Sequence, residues 1–290
     1  MPAPPLARLF HAGPLAAAGV ARLDADTSHH ALRVLRLAAG ETVELFNGDG
    51  LRYPARLLDA DPRGASVEIG APVSAGTESP LAIGLAQALP AGDKMDWVVE
   101  KAVELGAVAI QPLFSRKSLL RLDGARAERR LAHWRRIAVA ACMQCGRDRV
   151  PAIAEPLSFA AWLARPPTAP AAAPVLAADG ADGADAAGEV RSGQGTANAA
   201  GRASGRPQAP HPSVLRLVLS PRGDGVLHTL TAPLPPLWLL AGPEGGLADD
   251  EEALALAAGW LPLRLGPRIL RTETAGLAAL AALQARLGDF

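Results

Sequence analysis

From Leu81 onward the chain alternates short, wholly apolar runs with segments of helical period, and this alternation restricts the fold more than any other feature. LAIGLAQAL (81–89) reads as a buried strand, Met95, Val98, Val99, Ala102 and Val103 recur at helical spacing, and AVAIQPL (107–113) returns to strand. LRLVL near 215, LWLLAG near 240 with a helix behind it, and LPLRLG before a closing helix from about Ala275 to Leu287 repeat the pattern. Strands alternating with helices imply crossover connections, hence a mostly parallel sheet with helices on its faces.

The first 75 residues have a different texture, with turn signals between short apolar pieces. In ETVELFNGDG, Val43 and Leu45 keep a period of two before the Asn47-Gly48-Asp49-Gly50 turn, the chemistry of a hairpin in a small β-rich domain. The expected division is therefore 1–75 and 80–290. Residues 164–212 fit neither pattern, since 30 of 49 are Ala, Gly or Pro, too little apolar surface to offset chain entropy. They read as a flexible insertion in the second domain.

With 49% hydrophobic and 20% charged residues the chain can bury a sizeable core. Twenty-nine basic residues cancel 29 acidic ones, so no global field draws it to nucleic acid or membrane. Cys142 and Cys145, the only cysteines, are too few for a stapled secreted fold or a four-cysteine metal site, and they read as small buried residues in mid-helix. His29 and His30 lack a third ligand nearby, so no metal is expected. No apolar run reaches the roughly 18 residues of a membrane span, and a cytoplasmic location is expected.

Charge is local. Between Ser115 and Arg149 ten basic residues face three acidic ones, net plus seven. Such a cluster suits phosphate contacts along a nucleic-acid backbone, and equally a solvated helix face.

Two loops invite a ligand. In LWLLAGPEGGLADDEEALALAAGW (237–260) a strand runs into Gly242-Pro243-Glu244-Gly245-Gly246, and Asp249 to Glu252 open a helix. Glycines at the carboxyl end of a parallel strand let a ligand approach the backbone, and Glu244 favours a nucleoside or cationic ligand over a phosphate. In LRLGPRILRTETAGLAALAALQARL (263–287), Arg268 and Arg271 frame Ile269-Leu270, and Thr272-Glu273-Thr274 offer cap-type oxygens before the helix. That suits an adenine-like ring beside an anionic polymer; an Arg–Glu273 pair at a helix start is the plainer alternative.

Five blocks in order, HHALRVLRLAAGETVELFNGDG, GDKMDWVVEKAVELGAVAIQPLFSRKS, WRRIAVAACMQCGRDRVP, LAGPEGGLADDE and LGPRILRTETA, resemble the RsmE family of 16S ribosomal RNA uridine-N3 methyltransferases, members of the SPOUT superfamily. Met143, where that family carries an acidic residue, and the 164–212 insertion depart from it. The resemblance implies an N-terminal PUA-like β-barrel that helps hold RNA and a C-terminal SPOUT α/β domain tied in a trefoil knot. It also implies a homodimer, with 16S rRNA or the small ribosomal subunit as partner and neither membrane nor DNA. S-adenosylmethionine is then expected at Leu219, Ser220, Leu240, Gly242, Pro243, Glu244, Gly245, Leu265, Gly266, Ile269 and Leu270. RNA is expected at Arg33, Arg36, Arg116, Lys117, Arg147 and Arg149.

Uracil N3 carries a proton that must leave as the methyl arrives. Arg271, with Arg268, is expected to stabilise negative charge on the uracil oxygens, and Glu273 or Glu244 to assist proton removal. A ribose 2′-O methyltransferase of the same superfamily, or a non-catalytic RNA-binding assembly factor, are the alternatives.

Overall fold

A computed structural model describes residues 6–120, 123–165, 167–172, 214–224 and 226–290. The first unit comprises β1 (Ala7–Phe10), β2 (Val20–Arg22), α1 (Ala25–His29), β3 (Thr42–Phe46), β4 (Tyr53–Leu57) and β5 (Ser66–Ile69), its sheet ordered β1-β3-β4-β5-β2. Alternation fixes which side is buried: in β4, Tyr53, Ala55 and Leu57 point inward while Pro54 and Arg56 face solvent. They join Leu9, Leu23, Val43, Leu45 and Val67 in a core belonging to this unit. The Asn47–Gly50 turn does connect antiparallel β3 and β4, with Gly48 and Gly50 at φ +96° and +92°. The Asp49 carboxylate closes the turn by accepting from the Leu51 N–H and the Tyr53 hydroxyl, both at 2.7 Å.

The second unit begins with β6 (Ile83–Ala88), α2 (Lys94–Glu104), β7 (Ala109–Phe114), α3 (Gly124–Cys145), β8 (Ala152–Ile153), β9 (Leu157–Ser158) and α4 (Phe159–Leu163). It continues with β10 (Leu215–Leu219), β11 (Leu237–Ala241), α5 (Asp249–Ala257), β12 (Leu261–Leu263) and α6 (Thr272–Leu287). The sheet runs β12-β10-β11-β6-β7-β8, with β9 also on β7, and every pairing is parallel. Successive strand residues face opposite sides. Ile83, Leu85, Leu237 and Leu239 therefore meet α2, α3 and α6, whereas Ala86, Trp238 and Leu240 meet Phe159, Trp162, Ala255 and Trp260 on the other face. Gly84 makes room for the Trp238 ring, which a Cβ there would approach to 2.5 Å. The Trp238 indole N–H donates to the Thr168 carbonyl at 2.9 Å, tying down part of the expected insertion; its remainder, from 173 to 212, lies outside the described residues.

The cysteines are not in mid-helix. Gly146, at φ +86°, closes α3 immediately after Cys145, so both occupy its last turn. Met143 packs against the main core, partly buried.

The two units are joined where α3 ends. Arg8 of β1 donates to the Asp148 carboxylate at 2.7 Å and to the Arg147 carbonyl at 2.9 Å, and Arg52 donates to the Gly146 carbonyl at 2.9 Å. Asp148 is 1% exposed. The Arg147 guanidinium, expected on RNA, is likewise buried. It donates to the carbonyls of Val103 and Ala107 at 3.0 and 2.7 Å and to Glu78 at 3.0 and 2.9 Å. With every direction of its fork engaged, Arg147 has nothing left for a phosphate, and the GRDR stretch is the joint of the molecule.

Candidate active site

Parallel β10, β11 and β12 lie in register, so their carboxyl ends deliver three loops to one edge of the sheet. Between them is a cavity of about 400 Å³, within the range of small-molecule sites of roughly 300–1,000 Å³.

The loop after β11 is shaped by its glycines. Gly246, at φ +65°, donates to the Pro243 carbonyl at 2.8 Å, closing a turn. A Cβ on Gly242 would stand 2.9 Å from the Leu247 nitrogen and 3.1 Å from the Gly246 carbonyl carbon, so only glycine lets the loop fold back on itself. Lys117 then donates to the carbonyls of Gly245 and Leu247 at 3.0 and 3.1 Å. Glu251 caps α5 by accepting from the Ala248 N–H at 3.0 Å and receives the Arg116 N–H at 2.8 Å. The Arg116 guanidinium pairs with Asp250. Arg116 and Lys117, expected on RNA, thus brace this loop, although both stay exposed.

The other walls are mixed. Leu219, Ser220, Gly242, Pro243, Glu244, Gly245, Leu265, Gly266, Ile269 and Leu270 all line the cavity, as does Arg268. Ile269 stands 84% exposed at the rim. Leu240 alone among the expected cofactor residues does not line the cavity: it is fully buried in β11, paired with Val218 on one side and Ala86 on the other. The Ser220 hydroxyl donates to Glu252, which also faces the cavity, and Arg222 reaches Asp249 at 2.8 Å. Apolar side chains beside exposed main-chain groups and carboxylates are a donor and acceptor set that suits S-adenosylmethionine: a flat ring, a ribose and a cationic amino-acid tail.

Arg271 is the N-cap of α6, exposed and outside the cavity lining. Thr272 does not cap the helix. Its hydroxyl donates to the Gly242 carbonyl at 2.6 Å and receives the Gln87 amide N–H at 3.0 Å, binding the third loop to the second. Glu273 is paired by Lys94 at 3.5 Å and not by an arginine, and the same ammonium donates to Glu244 at 2.9 Å. Burial would push the Glu244 carboxyl up, but the Lys94 hydrogen bond, with the Ala91 N–H, holds it below the usual carboxylate range. Of the remaining expected RNA contacts, Arg33 ends a five-residue π-helical turn (His30–Val34), Arg36 has φ +58°, and both are exposed. Arg149 is exposed, its guanidinium beside Gly50.

Gln87, Lys94 and Glu252 were not anticipated as site residues. Gln87 left one signal: it is the only polar side chain within an otherwise apolar strand, and a buried amide must find partners. Nothing local marked Lys94 or Glu252, whose partners lie 150 and 32 positions away.

Comparison with known proteins names both units, the small five-stranded one and the parallel α/β one that carries the cavity. An "RNA methyltransferase domain" matches residues 77–192 and 206–284, and an "RNA methyltransferase PUA domain" matches 23–70. A ribosomal RNA small subunit methyltransferase E of Synechocystis is 31% identical over 263 residues, 89% of this chain and 71% of the relative. The protein of the same name from Buchnera aphidicola is 26% identical over 268 residues, 92% and 88%. The structure of the Neisseria gonorrhoeae enzyme of that name, bound to S-adenosylmethionine, covers 98% of this chain and 99% of its own at TM-score 0.77 and 31% identity. A Legionella pneumophila methyltransferase, also with the cofactor, covers 99% and 100% at TM-score 0.78 and 29% identity. The class is thus an S-adenosylmethionine-dependent RNA methyltransferase of the SPOUT type carrying a PUA domain. Within it, the chain belongs to the RsmE family.

Proposed function

We propose that the protein methylates N3 of a uridine in 16S rRNA, using the cavity at the carboxyl ends of β10, β11 and β12. The observation that carries this reading is the convergence of the GPEGG and LGPRILRTETA loops on one cavity, in a chain similar to solved methyltransferases whose names record bound S-adenosylmethionine. In this reading residues 1–75 hold RNA, residues 80–290 carry out the transfer, and the three loops follow a knotted path in a cytoplasmic homodimer.

The residues divide the task by chemistry. Main-chain groups of Gly242, Leu265, Gly266, Ile269 and Leu270 hold the cofactor, Leu240 supports them from within β11, and apolar Ile269 and Leu270 keep water from it. S-adenosylmethionine, when bound, supplies an already activated methyl on a sulfonium, so positioning and electrostatics account for most of the rate. Arg268 and Arg271, both free of ion pairs among the described residues, carry the charge that opposes the developing negative charge on the uracil oxygens. Glu244 or Glu273 accepts the N3 proton. No cysteine nucleophile takes part, since attack comes from nitrogen. Exposed Arg33, Arg36 and Arg149, with Arg116 and Lys117 at the loop, are the phosphate contacts.

The test is methyl transfer from labelled S-adenosylmethionine to small ribosomal subunits from a strain lacking the protein, with mass identification of the modified nucleoside. N3-methyluridine is the expected product. A 2′-O-methyl nucleoside would keep the fold and overturn the site chemistry, and RNA binding without transfer would overturn catalysis.

A further inference from the structure

Lys94 belongs to none of the three cavity loops. It sits in the first turn of α2, reached from β6 through Pro90, Ala91 and Gly92, and its ammonium points across to the cavity edge. There it touches two carboxylates brought by different loops: Glu244 Oε1 at 2.9 Å and Glu273 Oε2 at 3.5 Å. The two oxygens are therefore within roughly 6 Å of one another, a range in which like charges strongly disfavour joint ionisation. The Ala91 N–H adds a hydrogen bond of 3.0 Å to the same Glu244 oxygen. Glu273 Oε2 is shielded from solvent and accepts no hydrogen bond, so Lys94 is the one cation that answers it among the described residues. The other charges at this end of α2 are engaged elsewhere, Asp93 by Arg130 at 2.6 Å and Asp96 by His133 at 2.9 Å. On the α6 side, Arg268 and Arg271 are exposed and form no ion pair with either glutamate.

We propose that Lys94 is a positioning residue of methyl transfer: one ammonium holds the Glu244 and Glu273 side chains together at a fixed separation, so that the one of them that takes the N3 proton stands in place as a carboxylate. The proposal rests on the reading above in which one of the two is the proton acceptor. An anchor of this kind also explains why the loop after β11 and the start of α6 are registered from a third direction, independently of the Thr272 bond to the Gly242 carbonyl. Without the cation two carboxylates would face each other across a half-buried gap, and the pair would take up its first proton at higher pH. A protonated acceptor cannot accept, so activity would be lost on the acidic side and regained as pH rises.

The experiment uses the full-length protein with small ribosomal subunits, comparing wild type with Lys94→Met, Lys94→Gln, Lys94→Arg, Glu244→Gln and Glu273→Gln. The rate is followed as kcat and KM across pH, with S-adenosylmethionine binding by calorimetry and thermal melting as controls on folding. Lys94→Met and Lys94→Gln are expected to bind cofactor and subunit with KM changed less than about threefold, while the acid limb of kcat moves up by about one unit, a tenfold loss on its acidic side. Lys94→Arg is expected to restore the wild-type limb. Both neutral variants showing the wild-type limb and kcat, while at least one Gln variant is slow, would overturn the role of Lys94 and leave the proton-acceptor reading standing. Both Gln variants at full rate would overturn that reading and this proposal with it. If Lys94→Met fails to melt cooperatively, Lys94→Gln decides, because it retains a hydrogen-bond donor at the same place.

Discussion

Single side chains in this protein are decided by what surrounds them more than by their type. The Cys142 thiol is fully buried, and burial pushes its pKa up to about 12, against a smaller opposing effect of Arg147. Cys145 is raised in the same direction and chiefly by the same cause. The thiolate is the reactive form, so in the native protein at about pH 8 neither thiol should react appreciably with a disulfide reagent, and both should react once the chain is unfolded in denaturant. Rapid native labelling of two thiols would contradict this placement. Reading Cys142 as a small buried residue was possible from the sequence, since a Cys in an Ala-rich helical run has few other uses; Cys145, in the same run, is only partly buried. Arg147 shows the limit. It lies at the end of a basic stretch, which suggested a phosphate surface, but its partners are the carbonyls of Val103 and Ala107 and a carboxylate 69 positions away, and no local pattern encodes them. Charge clusters count residues; they do not tell which of them are already paired.

Elements were legible where period and punctuation agreed. β6, β7, β10 and β11 are wholly or largely apolar strands, and the apolar spacing of Met95, Val98, Val99, Ala102 and Val103 is the buried stripe of α2. The parallel sheet followed because helices separate β6 from β7, β7 from β8 and β11 from β12, the crossovers that parallel strands need. The start of α6 was less legible. Thr272 looks like a cap, yet its hydroxyl is used across the site, and Arg271 holds the cap position. The loop after β11 depends on Gly242 in a way that can be measured. Alanine there would place a methyl within 2.9 Å of the Leu247 nitrogen, and backbone atoms cannot step aside as a flexible side chain can. Overpacking of that kind costs about 1–3 kcal/mol, and here the distortion falls on the cavity wall. Gly242→Ala is therefore expected to weaken S-adenosylmethionine binding by about tenfold or more, read by calorimetry, with a smaller effect on melting temperature. Unaltered affinity would show that the loop tolerates the shift.

At the scale of the molecule, two sheets are coupled by apolar contacts, since Phe46 of β3 lies in the second unit's core with Phe10 packed against it, and by a buried ionic joint in which Asp148 receives Arg8 and Arg52. Removing one partner of such a buried set leaves uncompensated charge and costs about 3–5 kcal/mol. All five tryptophans lie beyond residue 80, so their fluorescence follows the second unit, whereas circular dichroism follows both. Denaturation of the native protein should give coincident curves by the two probes; Asp148→Ala should lower stability and separate them. Coincident curves in the variant would mean that the apolar contacts alone couple the units. The family resemblance foretold two units but not the joint, because ionic partners 140 positions apart leave no trace in either segment.

The cavity has walls from residues 219–222, 242–247 and 263–275, and the hydroxyl that fastens its second loop belongs to Thr272. A nascent chain emerging from the ribosome consequently lacks one wall of this cavity, and the bond that fastens another, until translation has passed that threonine. A polypeptide that stops short of it cannot assemble the cavity, however well its first unit has folded.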